Sequence, residues 1–339
     1  MFKDTDNKLV IERLTALWAL NECGLGGFMH AVSSPFTGIL VGGISILLIS
    51  LIASNASKVW PTLIKALSIV LLVKLSVSPH SPVTSYVAVS FQAFLGMLLF
   101  SLFSVNRITI VSLGAITFLE SAAQKLLTLT IIYGQSLWES VDIYSAWVSE
   151  KLSFIDYALS SKSLIILFIT FYSCAGIVVG FLIVRIMKLM QSVETTAPYH
   201  FSIQNKTREV EKTKSKKRKK LIFFWAITLL IVLLPLLFFS TEFNGWKGGL
   251  YLLSRSLIVL VLWYYVVGPF LLKGLDKLLS KRQSAYQSDI QNTLDLFPHL
   301  RSIIQYAWKD SSSLRGLNRM QHFMARSIVY SIHFKSSNE

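Results

Sequence analysis

Asn21, Glu22 and His30, then Lys74, Gln92, the group Glu120, Gln124 and Lys125, and finally Arg255 are polar or charged side chains set inside otherwise apolar runs. In hydrocarbon a central Asp, Lys or Arg costs roughly 2.5–3.5 kcal/mol on insertion scales, so such residues persist where they pair, line a path or hold a ligand. Glu22 or Glu120 has Lys74 or Lys125 available as a partner, and one such pair tying helices together is the plainer reading. The sharper reading is a pocket. His30, Lys74, His80, Gln92, Glu120 and Lys125 form the candidate substrate-binding set, a few polar groups among aliphatic and aromatic walls. A Lys and a His favour an anionic ligand, while a buried Glu argues equally for a cation. Lys65, Arg185 and Lys188 are discounted because they sit near the ends of apolar runs, where long basic side chains snorkel.

Motifs for catalysis are missing. The sequence contains no His-Glu-x-x-His, no Gly-x-Ser-x-Gly, no Asp-rich prenyl-diphosphate motif and no Gly-x-x-x-x-Gly-Lys, so no enzyme activity and no cofactor are expected. His30 and His80 lack a third ligand, which argues against a metal site. Cys23 and Cys174 both lie in apolar runs with no Cys-x-x-Cys spacing, so neither a disulfide nor a zinc site is indicated. An intramembrane enzyme built on Glu22, His30 and Glu120 is the least favoured reading.

The elements that must position these residues are long apolar helices. Hydrophobic residues make up 53% of the 339-residue chain and charged ones 15%, with a mean hydropathy of +0.55, and this balance suits lipid better than water. Crossing a bilayer core takes about 20 mostly apolar residues in a helix. Eight runs qualify: 14–31, 35–54, 61–78, 84–105, 108–133, 163–188, 221–240 and 249–272. The first carries the break Gly24-Leu25-Gly26-Gly27 and competes with a signal peptide, but Asp4, Asp6 and Glu12 precede it and no Ala-x-Ala site follows.

A net charge of +15 would suggest nucleic acid in a water-soluble chain. Its placement suggests topology instead, and no nucleic-acid partner is expected. With Lys3, Lys8 and Arg13 inside, the other inside segments carry Lys58, Arg107, the basic stretch after 188 and the C-terminal tail. The outside segments carry few bases, and 134–162 is net acidic. This alternation follows the positive-inside rule and places both termini in the cytoplasm of a bacterial inner membrane.

The expected fold is all-α and membrane-integral: a six-helix bundle over 1–190, a basic cytoplasmic linker over 191–220, a transmembrane pair over 221–272 and an amphipathic cytoplasmic helical tail over 273–339. Lys214, Lys216, Lys217, Arg218, Lys219 and Lys220 would face anionic headgroups beside the seventh span. Within 134–162 apolar residues recur at helical spacing and Trp138, Trp147 and Tyr157 suit an interface, so this segment is expected to lie on the membrane surface. The tail is read as helices over Gly274–Asp295, Leu296–Trp308 and Leu314–His333, the last with Leu314, Leu317, Met320, Met324, Ile328 and Ile332 on one stripe.

Small residues recur every four positions at Ala19, Cys23 and Gly27, which permits close helix approach. Together with the six-span count, the turn Ser33–Gly38 and the polar residues gathered toward one side, they make residues 1–190 resemble the substrate-binding S component of energy-coupling-factor (ECF) vitamin transporters. That resemblance implies docking of a transmembrane coupling subunit on Ala19, Cys23 and Gly27, with cytoplasmic ATPases supplying energy. Residues beyond 190 depart from the family, although Leu314-Arg315-Gly316 and Ala325-Arg326-Ser327 faintly resemble the Arg-centred motifs with which coupling subunits touch their ATPases. Arg315 and Arg326 are therefore candidate docking residues. The expected function is a transport component, a permease part that binds a small molecule from the outside and relies on a separate energising partner. The alternative is a membrane scaffold or assembly factor that recruits a cytoplasmic partner through its linker and tail.

Overall fold

A computed structural model describes residues 6–31, 37–78, 81–151, 160–196, 246–283 and 285–334. Among them every regular element is helical and no strand occurs. Six helical stretches are long and apolar enough to cross a membrane: Gly38–Asn55, Val59–Val77, Val83–Phe103, Arg107–Tyr133, Ser161–Val193 and Leu253–Gly274. The chain is therefore a multi-pass membrane protein. The expected span 221–240, the basic cluster 214–220 and most of the 32–38 turn fall outside the described residues.

The first expected span is divided. Helix α1 (Asn7–Leu20) runs into a π-helical turn at Asn21–Leu25 and continues as α2 (Gly26–Ala31). Asp6 caps α1 by accepting from the Lys8 amide, as N-cap carboxylates do. Arg13 through Ala19 are buried in unbroken succession, a pattern that places α1 among neighbours on all sides rather than against lipid on one.

Two compact units partition the chain. In the first, α3 (Thr37–Asn55), α4 (Val59–Val77) and α5 (Val83–Phe103) pack on one another, and α1 packs against α3 and α4. Pro61 sits in the first turn of α4, where a missing N–H costs nothing. Helix α6 (Arg107–Tyr133) opens with a reciprocal cap in which Asn106 Oδ1 accepts from the Thr109 amide and Thr109 Oγ1 accepts from the Asn106 amide, both at 3.0 Å. Its early part meets α8 (Ser161–Thr196) backbone to backbone: a Cβ on Gly176 would lie 2.5 Å from the Gly114 carbonyl oxygen, and one on Gly180 2.7 Å from Val111 Cα. Only glycine permits that approach.

The same unit contains the tail. Helix α10 (Gly268–Gln283) is followed by α11 (Gln287–Asp310) and α12 (Gly316–His333). The breaks differ from the expected ones. Pro298 does not divide Leu296–Trp308 from what precedes it, and α11 runs through it with Ser302 Oγ donating to the Pro298 carbonyl at 3.1 Å. Nor does α12 bury the whole apolar stripe. Leu317 is 63% exposed and Met320 47%, while Ala325, Ile328, Val329 and Ile332 are covered. Both α11 and α12 pack against α1, and α11 also reaches α4. Asp310 ties them together, pairing with Arg326 Nη1 at 2.9 Å and accepting from the Tyr330 hydroxyl at 2.7 Å.

The second unit holds the later part of α6, α7 (Ser136–Lys151), the start of α8 and α9 (Trp246–Leu262), which passes through a π-helical stretch at Trp263–Val267. Segment 134–162 is thus helical from Ser136 to Lys151, as its spacing suggested. Asp142 on α7 accepts from both the amide and the hydroxyl of Ser161, capping the start of α8. Gly134 turns the chain at φ +75°, with the Arg255 guanidinium against it.

Candidate functional site

The π-turn at Asn21–Leu25 is bordered by buried polar side chains. A π-turn inserts one residue into the helical register and re-aims the side chains around it, which is why such turns gather at functional sites. Here it turns Asn21 and Glu22 inward, at 7% and 3% exposure. Lys74, near the end of α4 and 1% exposed, reaches Glu22 Oε2 at 2.8 Å. The other carboxylate oxygen accepts from Ser45 Oγ at 2.7 Å. Asn21 Nδ2 donates to Ser45 Oγ at 2.9 Å and to the Val41 carbonyl at 3.0 Å. The Tyr86 ring of α5 stands 5.4 Å from Lys74 Nζ, adding cation–π attraction.

The charges in this network cancel. A single buried ion is far costlier than a hydrogen-bonded pair, so Glu22 and Lys74 depend on one another for their place in the interior. Of the pairings open in the sequence, Glu22 with Lys74 is the one formed.

Several polar atoms of the first unit have no hydrogen-bond partner. Asn21 Oδ1, Gln92 Oε1, Thr117 Oγ1 and Glu120 Oε2 are buried without a hydrogen bond. Gln92 on α5 lies against α3 where a Cβ on Gly42 would meet its Nε2 at 3.3 Å, and Phe118 of α6 reaches the same glycine at 3.7 Å. One turn earlier, Gly38 faces Ser121 at 3.6 Å. Gly38, Val41, Gly42 and Ser45 share one stripe of α3 at helical spacing. Asn21 borders that stripe through Val41 and Ser45, while Gln92, Phe118 and Ser121 border it through the glycines.

The candidate residues divide accordingly. Lys74, Gln92 and Glu120 belong to the first unit, with Lys74 committed to Glu22. Lys125 lies on the part of α6 that belongs to the second unit, half-buried. His30 is on α2, and His80 lies outside the described residues. Among the docking candidates, Ala19 and Cys23 are buried inside this chain's own bundle and Gly27 is half-buried, so a partner reaching the first two has to displace helices of the chain. Arg315 is exposed at the start of α12, whereas Arg326 is engaged with Asp310 through both its side-chain carboxylate and its carbonyl. Sequence reasoning passed over Ser45, Tyr86, Gly38 and Gly42 as site residues. A serine and two glycines in an apolar helix read as packing, and Tyr86 acts through its ring face.

A groove of about 800 Å³ lies elsewhere in the unit, at the start of α1, lined by Arg13, Lys65, Asn55, Asp289, His299 and Phe334 among others. Its charges are largely matched from within: Lys65 pairs with Asp289 at 2.9 Å, and Arg13 donates to the Phe334 carbonyl at 3.4 Å with its guanidinium 5.6 Å from the Phe334 ring. Among the described residues no group of three or more His, Cys, Asp or Glu is placed to hold a metal ion.

Fold and interior together define the class: a multi-pass membrane protein, all-helical among the described residues, with an ion pair buried in its first unit. Compared with protein-family models, with curated proteins and with solved structures, the chain matches none.

Proposed function

We propose that this protein is a transport component that binds a small molecule in its membrane-embedded bundle and depends on a separate partner for energy. The observation that carries this reading is the set of buried polar atoms without a hydrogen bond in the first unit, Asn21 Oδ1, Gln92 Oε1, Thr117 Oγ1 and Glu120 Oε2. Polar groups in a bilayer interior that pair with nothing are costly, and they persist where a bound molecule or a transported one completes them. Packing alone needs the Glu22–Lys74 pair and not these.

The finer topology belongs to the same reading. Segment 14–31 and segment 221–240 are the two further crossings, giving eight, with both ends in the cytoplasm of a bacterial inner membrane. Alternation of Lys and Arg between successive connecting segments supports this orientation. A transmembrane coupling subunit and cytoplasmic ATPases, as the resemblance to S components implies, are the proposed partners. Arg315 and the exposed start of α12 are more accessible to such a partner than Ala19 or Cys23.

Native mass spectrometry of the full chain, released gently from its membrane, tests the binding reading. Wild type is expected to carry one small-molecule adduct that Gln92→Leu/Glu120→Gln lacks. A wild-type spectrum free of any adduct, or an adduct kept by the double variant, contradicts it.

A scaffold is the second reading, favoured by the exposed apolar and basic end of the tail: Leu317 and Met320, with Trp308 stacked under Arg319 at 4.2 Å. Removing 274–339 is a poor discriminator because it uncovers α1. Substituting Leu317→Ser and Met320→Ser instead leaves the covered face intact, and a scaffold then loses its partner while adduct binding is unchanged.

A further inference from the structure

Charge is distributed one-sidedly over the hairpin of α11 and α12. From Leu296 to Phe334 the sequence holds a single acid, Asp310, against the bases Arg301, Lys309, Arg315, Arg319 and Arg326. Asp310 is taken by Arg326 and the Tyr330 hydroxyl. Arg301, Lys309 and Arg315 are exposed, and the Arg319 guanidinium lies over the Trp308 ring at 4.2 Å. With its carboxylate already paired, the outer end of the hairpin presents net positive charge.

Apolar surface accompanies that charge. Helix α12 is covered at Ala325, Ile328 and Ile332, where it packs with α1 and α11. Toward the helix start the stripe continues at helical spacing through Met320 and Leu317, and both of these are exposed. On α11 the Trp308 ring is exposed as well and makes an edge contact with Phe323 at 5.1 Å. Phe323 stands three positions from Met320, so the two sets adjoin. A shallow groove lined by Ile304, Trp308, Lys309 and Phe323 joins the helices at this place. Single exposed apolar side chains are ordinary, but an aromatic and aliphatic cluster rimmed by charge marks an interaction surface.

The base of the hairpin fixes its position. Asp289 of α11 pairs with Lys65 of α4, and Phe334 stacks on His299 beside Arg13. These residues line one groove with Asn55 at the close of α3 and Pro61 at the opening of α4, so the tail is seated on the end of the bundle where α3 gives way to α4. Both helices are long and apolar enough to span a membrane, which puts a bilayer surface at that end. At a rise of about 1.5 Å per residue, Trp308 lies roughly 14 Å along α11 from His299, close enough for the hairpin to rest on that surface. We infer that the outer end of the α11–α12 hairpin binds an anionic lipid surface, with Arg301, Lys309, Arg315 and Arg319 meeting lipid phosphates and Leu317, Met320 and Trp308 entering the headgroup region. Amphipathic helices hold interfaces by this combination of apolar burial, aromatic anchoring and attraction to anionic headgroups. The inference stands apart from the small-molecule reading, and it gives to lipid the patch that the scaffold reading gives to a protein.

The test places the full chain in nanodiscs of phosphatidylcholine alone or of phosphatidylcholine with phosphatidylglycerol. An environment-sensitive fluorophore is attached at the exposed position Asn318 through Asn318→Cys, with Cys174→Ser removing the exposed native thiol while Cys23 stays buried. Emission should shift to the blue in the anionic discs relative to the neutral ones, and high salt should reverse the shift. Lys309→Gln/Arg315→Gln should lose most of it. Both bases are exposed, so the packed face of α12 is untouched, and an unchanged elution profile verifies the fold of the variant. The salt response of the unsubstituted bases tests the same point without any change at the patch. Both faces of a disc carry the same lipid, so the result does not depend on which end of the bundle is cytoplasmic. Equal emission in the two discs, or a shift that survives high salt and the double substitution, overturns the inference. Equal emission in the discs with a shift on adding a polyglutamate peptide also overturns it, and gives the patch to an acidic protein.

Discussion

The Lys74 ammonium lies 2.8 Å from the Glu22 carboxylate, with both side chains almost wholly shut off from solvent. The two residues lie 52 positions apart in the chain, and the contact locks the π-turn at Asn21–Leu25 to the end of α4. Breaking one side leaves an uncompensated buried charge, which costs about 3–5 kcal/mol. Lys74→Met is therefore expected to destabilise the protein by that order in detergent unfolding, and Glu22→Gln/Lys74→Met to recover most of the loss. Additive losses in the double variant would mean that the two residues do not interact.

The glycines of α6 and α8 give a second expectation. A side chain at Gly176 runs into the Gly114 backbone at 2.5 Å, and backbone does not yield. Gly176→Leu should cost at least about 1–3 kcal/mol through overpacking. Gly274 on α10 is different, because a methyl group added there would meet no atom within 4 Å. Gly274→Ala should be neutral or stabilise by about 0.5–1 kcal/mol. Equal effects of the two changes in a thermal-unfolding assay would contradict the close approach.

Tail and bundle meet at Phe334, whose ring stacks on His299 at 5.1 Å between centroids and lies beside the Arg13 guanidinium. Truncating a buried phenylalanine costs about 3–5 kcal/mol. In Phe334→Ala, amide exchange in 316–333 should accelerate while α5 keeps its protection. Uniform acceleration across both would show that the tail does not open as a unit of its own.

His322 on α12 makes the tail sensitive to acid. Burial lowers its pKa from the ordinary imidazole value, and the nearby Arg326 lowers it further. A folded pKa below the unfolded one means that the unfolded tail binds the proton more readily. The stabilising contribution is complete above the unfolded value of about 6.5 and is lost as pH falls through the folded value. Protection of the α12 amides, taken relative to intrinsic exchange at each pH, should fall between neutral and mildly acidic pH, and His322→Gln should flatten that dependence. Greater protection in acid would reverse the sign.

Much of the architecture could be read from hydropathy, because a run of apolar residues long enough to cross a bilayer has few alternatives. The α3, α4, α5, α6 and α8 spans match the expected segments to within a few residues at most ends. What hydropathy does not carry is partnership. Glu22, Glu120, Lys74 and Lys125 looked interchangeable as ions in apolar runs, and only the π-turn, which no spacing rule announces, brings Glu22 to Lys74. In the tail, a break was expected between Asp295 and Leu296, yet α11 runs without one from Gln287 to Asp310. Of the stripe expected from Leu314 to Ile332, Ile328 and Ile332 are buried while Leu317 and Met320 are exposed.

The claim on which the functional account turns is that the unpartnered acceptors serve a ligand rather than the fold. Thermal unfolding of the ligand-stripped full chain, compared between wild type and Gln92→Leu, tests it most directly. Replacing a buried unsatisfied acceptor with a hydrocarbon of similar size should raise stability by about 1–3 kcal/mol while the small-molecule adduct disappears. A Gln92→Leu protein less stable than wild type that still carries the adduct would contradict the account.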